Sequence, residues 1–234
     1  SSAASDVYKR QGVYRPVPDF DAAGGGGILN QGALTITGST ISDNGASGYY
    51  VNGGGIYNTG QLTITASTIR NNWCSGSQGC TGGGIGTTGS SSNLTLLGST
   101  ITGNQAFGQN GAKGGGVSAG RELTIIDSTF HDNTVDSWYW ADGSALASFG
   151  SASITGTTFN ANISNTHDYE LHGSAVANGG DMTIANSTIS NSQDEGVYNK
   201  PGGVLTISNS TVTGNAGGIR TVCEYFSGDA TLSL

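Results

Sequence analysis

The feature that most constrains this chain is a block that recurs about seven times. It runs through a small-residue opening such as GGGI, a short loop, LTI, two residues, Ser-Thr closed by Ile, Val or Phe, two more residues and Asn. The triplets centre on Thr40, Thr68, Thr100, Thr129, Thr158, Thr188 and Thr211, so successive copies lie 28, 32, 29, 29, 30 and 23 residues apart. Five residues before each triplet begins a second apolar-polar-apolar run: Leu34, Leu62, Leu94, Leu123, Ala152, Met182 and Leu205. A third run starts with small residues, as in Gly53-Gly54-Gly55-Ile56, Gly82-Gly83-Gly84-Ile85 and Gly114-Gly115-Gly116-Val117. Self-similarity with a period of roughly 20–50 residues is the mark of stacked repeats, each unable to bury its apolar face alone.

Each run is a strand of only a few residues with apolar and polar positions alternating, so one face is buried and the other wet. Stacked coil on coil at about 4.8 Å, such strands form parallel sheets around one continuous core. The pattern therefore predicts an all-β, right-handed parallel β-helix, a solenoid of about seven coils of three short strands. Leu34, Ile36 and Ile41 and their counterparts point inward, while Thr35 and Thr40 form outward ladders. Threonine and isoleucine suit a half-buried pleated surface because both are β-branched. The Asn ending most triplet strands (Asn44, Asn72, Asn104, Asn133, Asn162 and Asn215) reads as a stacked corner ladder rather than as catalytic or ligating groups. Glycine, present 41 times, lets the backbone turn sharply between sheets.

Residues 1–23 lack the repeat and read as an irregular N-terminal segment, part of it non-native, because SDVYKRQ resembles translated adaptor sequence. Residues 24–234 read as the β-helix. The chain ends in mid-coil, with Ala216-Gly217-Gly218-Ile219 and Ala230-Thr231-Leu232 opening a coil that no triplet closes. Open solenoid ends expose strand edges, so the expectation is that this end is either continued by further sequence or paired end to end with another copy, as a homo-oligomer or filament.

Charged residues make up 10% of the chain and the net charge is −8. Nucleic acid is not an expected partner, since phosphate binding needs a cationic footprint. No apolar run approaches the ~20 residues that span a bilayer, so this segment is not expected to insert in a membrane. Cys74 and Cys80 flank a Gly/Ser-rich stretch that suits a small disulfide ring, as formed in an oxidising compartment, although two free thiols give the same spacing. Cys223 is left over.

The coil from Gly53 to Asn72, GGGIYNTGQLTITASTIRNN, resembles the repeat of bacterial right-handed β-helix surface proteins, including polymorphic outer-membrane proteins and adhesin passengers. The likeness extends from about Gly24 to the C-terminus. It implies the fold and an extracellular or cell-surface location. It implies no single activity, since the same superfold hosts adhesins, pectate-lyase-like enzymes and phage tailspikes. The enzyme branch's paired aspartates, its Arg or Lys set against an acidic cluster and its Gly-His-Gly motif are not legible, and neither is a β-barrel translocator.

Between each terminal Asn and the next small-residue strand lies a variable segment, expected as a loop on one edge of the rod. These segments carry Tyr49, Tyr50, Trp73, Phe107, Trp138, Tyr139, Trp140 and Tyr169, an aromatic ridge on an otherwise Ser/Thr/Asn surface. Such rings either cover the open corner of the helix or bind a partner, a glycan or a protein. Asp136, His167, Asp168 and Glu170 are the catalytic candidates, since paired carboxylates about 5–9.5 Å apart cleave glycosidic bonds. The same oxygens are of the kind Ca²⁺ takes, while solvated loop acids are the plain alternative. No dedicated metal motif is present. Asn93, Asn162, Asn186 and Asn209 begin glycosylation sequons, which the repeat also generates by chance.

The leading expectation is an extracellular or cell-surface scaffold, adhesin-like or filament-forming, that binds a glycan or a protein through its rings, with the enzyme question left open. A polysaccharide lyase or glycoside hydrolase is the alternative. An ice-binding solenoid is the third, resting on the Thr40 ladder, whose neighbouring rank is broken by Arg70 and His131.

Overall fold

The computed structural model describes residues 7–8, 22–166, 173–222 and 231–233. Among them are four eight-stranded sheets, all of whose pairings are parallel, and no helix. The three strand types read from the repeat each stack into one sheet. The LTI sheet runs from Ala33–Thr37 through Gln61–Thr65 and Asn93–Leu97 to Val204–Ser208 and Thr231–Ser233. The triplet sheet pairs Thr40–Ser42 with Thr68–Arg70 and continues to Thr211–Thr213. The glycine sheet runs from Ile28–Asn30 through Ile56–Asn58 and Ile85–Thr87 to Gly217–Thr221.

The fourth sheet corrects the expectation of three strands per coil. The variable segments are not loops but strands: Gly45–Asn52, Trp73–Thr81, Gln105–Gly108, Thr134–Ser137 and Ile163–Thr166, with Ala22–Gly24 at one edge. Ala112–Lys113 and Ala141–Asp142 extend it. They lack the LTI signature because their inward positions hold Ala, Val and Cys rather than Ile or Leu. The coil spanning the 23-residue step has no such strand, and passes from Thr188–Ser190 to Glu195–Asn199 within the turn.

The main core is aliphatic. Ile64, Leu96, Ile125, Ile154 and Ile184 stack in register along the LTI sheet with essentially no exposure. Ile41, Ile69, Ile101, Phe130, Phe159 and Ile189 do the same along the triplet sheet. Each contributes about 1.5–3 kcal/mol by leaving water. Phe130 and Phe159 stack with centroids 4.9 Å apart. At the edge coil Leu34 is only half-buried, while Ile36 and Ile41 are buried.

Corners are closed by side chains that hydrogen-bond from coil to coil. Asn44, Asn72, Asn104 and Asn133 each donate from Nδ2 to Oδ1 of the next ladder Asn, at 3.0 Å. The acceptor Oδ1 also takes a backbone N–H from the coil before, as Asn133 does from Asn104 at 3.1 Å. A second corner uses the triplet's first residue. Ser67 Oγ donates to Thr65 O and accepts from Ser39 N, and the same pair of bonds recurs at Ser99 and Ser187. That is why the triplet opens with a hydroxyl. Asn30–Asn58 and Asn178–Asn199 form a further buried ladder in the glycine sheet that the repeat reading missed. The residues before the ladder Asn adopt left-handed φ, as at Asp43 (59°), Asn71 (53°) and Asp132 (56°), residue types that tolerate this region. Gly53 (φ 71°) is required at its corner because a Cβ there would also collide with Ile56 O.

Candidate functional site

The fourth sheet has its own interior. Ala46, Cys74, Ala106 and Val135 share one register rank, and Val51, Cys80, Ala112 and Ala141 another; all are buried and together form a second apolar cluster. Cys74 and Cys80 are joined by a disulfide with Cα atoms 5.9 Å apart, at the two ends of a register shift between Gly76 and Gly79. The bond therefore ties across the bulge in the longest strand of the sheet.

With small residues filling this interior, the rings stand outside it. Trp138 and Tyr139 are 55 and 56% exposed, and Tyr49, Tyr50 and Trp73 are 41, 46 and 42% exposed. Phe107 and Trp140 are half-buried. Tyr49 and Tyr50 meet edge to face at 5.1 Å. Glycines seat the larger rings: a Cβ on Gly45 would run into the Trp73 indole, and one on Gly111 into that of Trp140. Register places Tyr50, Gly79, Gly111 and Trp140 in a single rank, since Tyr50 pairs with Gly79 and the following residues Cys80, Ala112 and Ala141 are partners.

Lys113, Asp142 and Lys200 gather beside Trp140. Lys200 Nζ donates to Asp142 Oδ2 at 2.6 Å, although the two residues are 58 apart in sequence, and Asp142 is 5% exposed. Lys113 is the register neighbour of Asp142, and its ammonium lies 4.3 Å from the Phe149 centroid and 5.0 Å from that of Trp140. Burial pushes the Lys113 ammonium below the usual lysine range, Asp142 opposes that shift, and Lys200 adds to it. The sequence offered no cue to this cluster. Its lysines are distant along the chain, and the position of Lys200 is held in other coils by Gln31, Thr59, Thr88, Gly120, Phe149 and Gly179.

Of the catalytic candidates, Asp136 is half-buried and shares an outward rank with Ser75, Phe107 and Asn165. His167, Asp168 and Glu170 lie outside the described residues, as do Tyr169 and Cys223. Among the described residues no three His, Cys, Asp or Glu are grouped to hold a metal ion. The sequon asparagines differ in setting. Asn162 is 1% exposed, and its Nδ2 donates to Phe130 O and Asn160 O. Asn93 is half-buried, whereas Asn186 and Asn209 are exposed at corners with φ of 50° and 47°. The Thr40 rank pairs in register from coil to coil. Beside it Arg70 is exposed, and His131 Nδ1 lies 2.8 Å from Asp132 Oδ2.

The family described as "Right handed beta helix region" matches residues 20–169 and, in an overlapping match, 55–231. No curated protein and no solved structure gives a significant match.

Proposed function

The chain belongs to the right-handed β-helix family, and from that premise we propose that it is an extracellular or cell-surface scaffold of the adhesin type. Its fourth sheet binds glycan through the outward rings. One observation carries this reading: Ala, Val and Cys fill the interior of that sheet, so Trp73, Trp138 and Tyr139 remain exposed instead of serving as its cover. Exposed rings of this number on a polar surface favour contact with a partner. Exposed Trp and Tyr rings favour sugar faces, which stack on aromatic planes. The disulfide supports an oxidising compartment. The resemblance to bacterial surface proteins supports the cell surface.

A glycan array on the purified chain, run alongside a product-release assay on acidic polysaccharides, tests the reading. Binding without turnover, weakened at least tenfold in Trp138→Ala, is expected. Turnover that disappears in Asp168→Ala or Glu170→Ala would replace the scaffold reading with the enzyme one.

A further inference from the structure

Lys113 is the cation on the described strands of the ring-bearing sheet. Its Nζ lies over two ring faces, Phe149 at 4.3 Å and Trp140 at 5.0 Å, and among the described residues it has no hydrogen-bond acceptor. A ring face attracts an ammonium but does not satisfy its three N–H donors. The nearby carboxylate is already engaged: Asp142 Oδ2 accepts from Lys200 at 2.6 Å. Lys200 itself stands 5.7 Å from the same Phe149 ring. Among the described residues two ammoniums thus share one carboxylate, on a chain whose net charge is −8. An ammonium partly withdrawn from water and ringed by aromatic faces gains most from an acceptor that also carries negative charge.

We propose that Lys113, Trp140 and Phe149, braced by the Lys200–Asp142 pair, form a subsite for the anionic substituent of a glycan. The substituent is a carboxylate or a sulfate, and the sugar that carries it stacks on Trp140. This rests on the glycan reading of the rings and adds the charge of the ligand to it. The indole is held in place by Gly111, so the ammonium and the stacking plane are presented together. The lowered proton affinity of Lys113 agrees with an ammonium short of water and acceptors. Pairing with an anionic ligand would restore it.

The test uses two matched probe pairs on the full chain: polygalacturonate against its fully methyl-esterified form, and dextran sulfate against dextran, with binding measured by calorimetry at low salt. At least about tenfold tighter binding of the charged member of one pair is expected, and which pair responds identifies carboxylate or sulfate as the ligand. Lys113→Met keeps the aliphatic stem between the rings and should abolish the preference. Lys113→Arg should retain it. Lys200→Met should also reduce it, because Asp142 is then free to pair with Lys113. Equal binding of charged and neutral members overturns the inference and leaves the ring reading intact, and a preference that survives in Lys113→Met overturns it as well. No binding to any of the four overturns both.

Discussion

Asn133→Ala should be among the most damaging single substitutions in this protein, and the cost can be worked from the hydrogen bonds it removes. The Asn133 side chain is fully buried. Its Oδ1 accepts from the Asn104 backbone N–H at 3.1 Å and from Asn104 Nδ2 at 3.0 Å. Its Nδ2 donates to Ile101 O, His131 O and Asn162 Oδ1 at 2.9, 3.2 and 3.0 Å. Asn104 Nδ2 retains Ile69 O and Thr102 O, so it is not stranded by the change. The Asn104 backbone N–H loses its acceptor in a place water does not reach, which costs about 1–3 kcal/mol. The two N–H hydrogens of Asn133 Nδ2, shared among those three acceptors, add roughly 0.5–1.5 kcal/mol each. Lost cooperativity between coils and a small void bring the expected destabilisation to about 3–5 kcal/mol. Against a typical domain stability of about 5–15 kcal/mol, that is a large fraction. Urea unfolding followed by far-UV circular dichroism measures it as a shift in midpoint. Asn110→Ala serves as the control, because Asn110 is an exposed side chain bonded to Gln78 and should move the midpoint by no more than about 0.5 kcal/mol. A loss below about 1 kcal/mol for Asn133→Ala would refute the claim that the ladder, and not the aliphatic core alone, holds the coils together.

Replacing Cys74 and Cys80 together with Ala opens a small ring of sequence separation 6 and should cost about 2 kcal/mol by loop-closure entropy, read as a lower urea midpoint that matches the reduced wild type. The Lys113 charge should give a pH signature of definite sign. Its proton affinity is lowered in the folded state, so the unfolded chain binds the proton more tightly, and folding is penalised below the lowered value. That penalty is relieved as pH rises through the lowered value toward the ordinary lysine range. The urea-midpoint difference between Lys113→Met and wild type should therefore shift in favour of wild type as pH rises toward the ordinary lysine value of about 10.4. A pH-independent difference would argue that Lys113 is solvated like any surface lysine.

The sequence by itself determined the coil. Periods of 23 to 32 residues, apolar positions two apart and a terminal Asn leave little but parallel stacking, because strands this short gain burial and hydrogen bonds only from their neighbours. The inward Ile and Leu, the outward Thr and the Asn ladder were all legible, since identical residues at one register position repeat the same local energetics in every coil. The hydroxyl opening each triplet was visible, but its role was not, because Ser67 acts on a backbone N–H 28 residues away. The fourth sheet was not legible. Its strands bury Ala46, Cys74, Ala106 and Val135, whose small side chains leave no hydrophobic signature, and only stacking onto neighbouring segments made strands of what read as loops. The same stacking decided which way the rings face. It also brought Lys113, Asp142 and Lys200 together, residues with no shared motif, joined only because the winding of the solenoid carries Asp142 to Lys200, 58 positions further along the chain.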